Sequence, residues 1–126
     1  MKAVKFMHAG VHLSVKNLQE TLRYYRDTLG FYDAWTHGDK DGGLRRDDMR
    51  ILFGENRAHT EAINTPAHRL NILWFVSNID AIYQEFKGRN IAIASELKEY
   101  PYGLREFAFI DINGYYIRVA EGTSDS

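Results

Sequence analysis

The chain has no cysteine and only 2 prolines in 126 residues. Without a thiol it can form no disulfide, thiolate nucleophile or Cys-built metal site, and any metal would fall to histidine and carboxylates. No run approaches about 18 consecutive apolar residues, so no membrane-spanning helix is predicted. The start MKAVKFMHAG lacks the apolar core and cleavage site of a secretory signal, and a cytoplasmic location is expected. Charge of one sign is also missing. With 16 Lys and Arg against 17 Asp and Glu, the formal charge of -1 gives no basic footprint for nucleic acid and none for a membrane surface. What is present is a globular composition, 44% hydrophobic, sized for a single domain over residues 1–126.

Two stretches share one pattern. In VHLSVKNLQETLRYYRDTLGF (11–31), Val11, Leu13 and Val15 alternate as on a half-buried strand. Asn17 then reads as a helix N-cap, with Glu20 completing a capping box. Leu18, Leu22, Tyr25 and Leu29 follow at helical spacing, and Gly30 supplies the stop. LNILWFVSNIDAIYQEFKGRNI (70–91) repeats the design with Asn78 as the cap, Ile79, Ile82 and Phe86 as the stripe, and Gly88 near the end. The strand-like segments 46–55 and 112–121 also resemble each other. These parallels predict an internal duplication: an α+β fold of two βαβββ modules forming a concave eight-stranded sheet, with helices on the outer face. Module one covers about 1–56, a linker about 57–68, and module two about 69–122. HGDKDGG (37–43) and Asn113-Gly114 read as turns, and the tail GTSDS as frayed.

The segments VKNLQETLRYYRDTLGF, GGLRRDDMRILF, VSNIDAIYQEF and YPYGLREFAFIDINGYYIRVAE together resemble the vicinal oxygen chelate superfamily, which includes glyoxalases, extradiol dioxygenases and bleomycin-resistance proteins. Its catalytic branches hold a divalent ion with His, Glu or Gln in the hollow of the sheet. Matched by motif, those positions here are Gly10, Leu52, Asn71 and Arg118. Glycine and leucine offer no lone pair, an amide is a weak ligand and a guanidinium repels the ion, so no metal and no cofactor is expected at the usual place.

PYGLREFAFIDINGYYIRVAE looks most like the bleomycin-resistance branch, whose members bind a planar cationic antibiotic in grooves of a dimer. The resemblance therefore implies a homodimer that sequesters a planar or amphipathic small molecule, such as a bleomycin-type antibiotic, and confers resistance without catalysis. By position, Trp35 and Tyr102 are the expected aromatic walls, with Asp33, Asp39, Asp41 and Glu99 as nearby acids. Strand parity puts Leu73 and Phe75 beside Asn71 on the binding row, and Tyr116 beside Arg118. The resulting ligand-binding set is Asp33, Trp35, Leu73, Phe75, Glu99, Tyr102, Tyr116 and Arg118.

Each choice has a plainer reading. Trp35 and Tyr102 fit ordinary half-buried packing or a dimer contact, and the acids near Asp39 fit a solvated turn. Trp74 is expected in the core, and Tyr24, Tyr25 and Tyr83 in the core or an interface. Arg118 fits a structural ion pair with Glu55 or Glu106. The alternative function is a glyoxalase-like lyase or isomerase, with a displaced metal on His8, His12 or His68 plus Glu55 or Glu121, or with metal-free acid–base work by His12, Glu106 or Glu121. Val11 stands where bleomycin-resistance relatives often carry a proline, which leaves exchange of the N-terminal strand open.

Overall fold

A computed structural model of the chain describes residues 2–122; apart from Gly122, the tail expected to fray lies outside the described residues. The fold is α+β, with eight strands in two four-stranded sheets, and it divides into two compact units at Arg57/Ala58.

The first unit contains β1 (Val11–Val15), α1 (Leu18–Asp27), β2 (Tyr32–His37), β3 (Asp41–Arg46) and β4 (Met49–Glu55), with strand order β1-β4-β3-β2. Only β1 and β4 pair in parallel. Helix α1 starts where the sequence predicts, the Asn17 side chain accepting the Glu20 N–H at 2.9 Å. Its apolar stripe buries Leu18, Leu22 and Tyr25 against β2, β3 and β4, whose Leu44, Ile51 and Phe53 are buried as well. The Tyr25 ring lies 5.1 Å from Phe53 and 5.5 Å from Phe31, in the tilted and edge-on geometries that aromatic quadrupoles favour.

The second unit repeats the plan with β5 (Ile72–Phe75), α3 (Ile79–Gly88), β6 (Ala92–Glu99), β7 (Leu104–Ile110) and β8 (Tyr116–Gly122), in the order β5-β8-β7-β6. Trp74, Phe86, Phe107, Phe109, Ile117 and Val119 form its core under α3. Trp74 and Tyr83 are buried, and Tyr25 is fully so.

Three local expectations need correction. First, the connection holds a helix, α2 (Arg57–Ile63), with Thr60 buried, although its sequence shows no apolar periodicity. Second, Asn78 does not cap α3 through its side chain. Its backbone is left-handed (φ 55°), and the Glu121 carboxylate accepts the N–H groups of Asn78 and Ile79 at 3.0 and 2.9 Å. Glu55 does the same for α1 from the end of β4, accepting the Leu18 N–H at 2.8 Å. The duplication thus extends to a carboxylate on the last strand of each unit, placed at the positive end of its helix.

Third, Gly42 and Gly43 lie within β3, and the turn before it is Gly38–Lys40. Close approach explains the glycines. A Cβ on Gly42 would come within 2.7 Å of the Trp35 carbonyl oxygen, and one on Gly43 within 2.9 Å of the Trp35 ring.

Candidate functional site

Arg118 stands mid-strand in β8, in register with Leu73 of β5 and Ala108 of β7. Its neighbours Ile117 and Val119 are fully buried on the helix side, so alternation turns Arg118 to the open face. Glu106, diagonal to it on β7, receives its guanidinium in a fork: Nε donates to Oε2 at 2.6 Å and Nη2 to Oε1 at 2.8 Å. The remaining contacts hold that fork in place. Nη1 donates to Asn71 Oδ1 at 3.4 Å, Nη2 to the Tyr102 hydroxyl oxygen at 3.3 Å, and the Tyr102 hydroxyl donates to Glu106 Oε1.

The pair is largely dry, with the Glu106 side chain 5% exposed and that of Arg118 23%. The guanidinium holds the Glu106 carboxyl below the usual range, and the carboxylate raises Arg118 further above its own. Tyr102 is pushed up, first by desolvation and then by its bond to Glu106. At neutral pH the cluster is a fixed ion pair with a neutral phenol attached. The Tyr102 ring is exposed and stacks on Tyr100 at 5.2 Å and 18°, and the Lys98 ammonium lies 5.0 Å from the far ring.

In the first unit, Trp35 follows an irregularity in β2 where Asp33 adopts φ 56° and the register with β3 shifts. That bulge re-aims the strand. Opposite Trp35 stands Gly43, and the indole lies against its bare backbone, leaving Trp35 46% exposed. The ring borders a depression of about 520 Å³ shared with Asp33, Arg45, Arg50 and Leu52. Asp33 is bound to Arg45 Nε at 2.9 Å, and the Arg45 guanidinium also covers the Tyr32 ring at 4.9 Å.

Of the residues expected to bind ligand, Asp33 and Trp35 thus share one depression, while Leu73, Phe75, Tyr116 and Arg118 share one face of the second sheet with Tyr102 at its edge. Glu99 ends β6 and pairs in register with Arg105, apart from the Arg118 cluster. Asp39 lies in the β2–β3 turn and Asp41 opens β3. Of the two partners foreseen for Arg118, Glu106 takes the role. Glu55 is engaged by Lys40 at 2.7 Å and by α1, and its carboxyl is held low by both. Sequence reasoning missed Tyr100, whose i, i+2 relation to Tyr102 was the available signal, and Arg50, which shares parity with Leu52.

The positions that would hold a metal by resemblance do not suit one. Gly10 and Leu52 bring no donor, the Asn71 oxygen already accepts from Arg118, and Arg118 is cationic. Among the described residues no three His, Asp or Glu side chains are grouped as a metal site requires. His12 stands in register with Leu52, its ring beside Gly54. Among the described residues no helix is long and apolar enough to cross a membrane.

Comparison with known proteins places these geometries in a family. The model of the Glyoxalase/Bleomycin resistance protein/Dioxygenase superfamily matches residues 5–119. Among solved structures, the bleomycin-binding protein of bleomycin-producing Streptomyces verticillus, complexed with copper(II)-bleomycin, is 24% identical with a TM-score of 0.71, over 98% of this chain and 100% of that one. TioX from Micromonospora sp. ML1 is 15% identical with a TM-score of 0.74, over 93% and 99%. A virulence protein of Salmonella typhimurium is 17% identical with a TM-score of 0.68, over 95% and 99%. At these identities the likeness is one of fold. No curated protein matches the sequence.

Proposed function

Because the chain belongs to the glyoxalase/bleomycin resistance protein/dioxygenase superfamily, we propose that it is a metal-free binding protein that sequesters a planar or amphipathic small molecule in grooves of a cytoplasmic homodimer. Antibiotic tolerance would follow from that sequestration. The observation that carries this reading is the Arg118–Glu106 fork, with Nε–Oε2 at 2.6 Å and Nη2–Oε1 at 2.8 Å. It fills the last-strand place where catalytic relatives put a metal ligand, and it leaves Glu106 neither open to a cation nor basic enough to abstract a proton. Glu121, the other carboxylate considered for acid–base work, is occupied at the start of α3. The lyase alternative therefore lacks a free base among the carboxylates named for it.

In this reading each unit offers its own ligand surface: the exposed face of Trp35 in the first, and that of Tyr102 with apolar contact from Leu73, Phe75 and Tyr116 in the second. Arg118 orders Tyr102. Asp33 meets the ligand already paired with Arg45, and Glu99 lies at the margin. Dimerisation is supported by the exposed side chains of Val4, Phe6 and Met7, which precede β1, an edge strand of its sheet.

A tryptophan-fluorescence titration with a panel of planar antibiotics that includes bleomycin, with metal analysis of the same sample, tests the function. Saturable stoichiometric binding without a chemical product is expected, weakened about tenfold by Trp35→Ala or Tyr102→Ala. Turnover of the ligand, or affinity unchanged in both variants, would overturn it.

A further inference from the structure

The open face of the first sheet carries a charge imbalance that the Arg118 cluster does not. Arg45 on β3 and Arg50 on β4 are register partners, so both guanidinium groups leave the sheet on the same side, next to each other. Like charges directly opposed across two strands destabilise a sheet. Asp33 neutralises Arg45, with Arg45 Nε donating to its Oδ2 at 2.9 Å, and Arg45 Nη1 donates to the Asp47 carbonyl oxygen at 2.9 Å. Among the described residues Arg50 has no such partner.

Arg50 nonetheless lines the same depression as the exposed Trp35 ring, with Leu52 two residues along its own strand and on the same face. A flat indole, an aliphatic side chain and an uncompensated guanidinium thus border one hollow. A guanidinium left without a carboxylate recognises an anionic oxygen group by paired N–H donation, and the ring beside it takes an aromatic face.

We propose that this depression is a specificity site for a flat-ringed ligand bearing an anionic group, with Arg50 as the residue that reads the charge and Trp35 the ring. The inference rests on the binding function proposed above and narrows its ligand, favouring an acidic ring system over a cationic one. By parity Arg50 occupies in the first sheet the place that Tyr116 holds in the second, two residues before Leu52 as Tyr116 precedes Arg118. The duplicated sheets therefore present different chemistry at the same place: a paired cation with a tyrosine in the second, an unpaired cation with a leucine in the first.

Three probes of one shape test it: 2-naphthoate, 2-naphthamide and 2-naphthylmethylammonium, titrated into the ¹⁵N-labelled full chain while the indole N–H signals of Trp35 and Trp74 are followed. The anion should move the Trp35 signal and bind at least about tenfold more tightly than the amide, with the cation weakest. Raised salt should narrow that gap. Arg50→Gln, a change at an exposed position, should abolish the preference and leave amide affinity within about twofold, whereas Arg50→Lys should keep part of it. Equal binding of all three probes at Trp35, or an anion preference that survives Arg50→Gln, would overturn the inference and leave the binding function standing. Failure of every probe to reach Trp35, together with failure of the planar antibiotics, would overturn both.

Discussion

Replacing Arg118 with methionine tests whether the guanidinium holds the cluster together. The substitution keeps the aliphatic stem and strands the Glu106 carboxylate, whose side chain is 5% exposed. Breaking a buried pair from one side costs about 3–5 kcal/mol, and the partial exposure of this pair points to the lower end, about 3 kcal/mol. Glu106→Gln should cost less, about 1–2 kcal/mol, because Arg118 at 23% exposure can turn to water and an amide oxygen still accepts one bond. With both changes no charge is stranded, so the double variant should fall short of additivity by about 2 kcal/mol. The assay is urea unfolding at fixed protein concentration and pH 7, with melting temperature as a check; for a chain of this size Arg118→Met should lower it by roughly 10 °C. A single-variant cost under about 1 kcal/mol, or simple additivity, would refute the reasoning.

The same pair sets a pH dependence. Since Glu106 is held below its ordinary value in the folded state, its contribution is complete above about pH 4.3 and is lost as pH falls toward the lower folded value. The stability gap between the parent protein and Glu106→Gln should therefore be flat from about pH 6 to 8 and close below about pH 4, as acid titrations of both would show. Gly43→Ala should cost about 1–3 kcal/mol and shift Trp35 emission, because its Cβ would meet the Ile51 carbonyl oxygen at 2.8 Å and the indole at 2.9 Å. Glu121→Ala removes two acceptor bonds from the start of α3 and should destabilise by about 1 kcal/mol, with amide exchange rising at Asn78 and Ile79. Phe6→Ser should weaken the proposed dimer, read by sedimentation velocity at falling concentration.

Features that depend on local spacing were legible in the sequence. Asn17 caps α1, and alternation in YYIRV separates the core residues Ile117 and Val119 from Tyr116 and Arg118. The duplicated plan, with its matching strand orders, followed from the repeated motifs. What depends on distant contacts was hidden. Glu121 reaches Ile79 across 42 positions, so no short window reveals that a carboxylate replaces Asn78 as the cap. Gly42 and Gly43 carry a turn signature, and only the Trp35 ring lying against β3 accounts for glycine in mid-strand. In α2 the apolar stripe that marks a helix is missing, with Thr60 its buried residue. For Arg118 the sequence left an ion pair and an open cation equally available; Glu106 decides for the pair, whereas Arg50 on the first sheet has no carboxylate partner among the described residues.

The most direct test of metal-free recognition is ligand affinity measured on one sample before and after exhaustive chelation, with metal content determined at both stages. With Arg118 locked to Glu106 in place of a ligand set, affinity for a planar ligand should be the same in both states and fall about tenfold in Trp35→Ala. Binding abolished by the chelator and restored by one equivalent of zinc or nickel would contradict it.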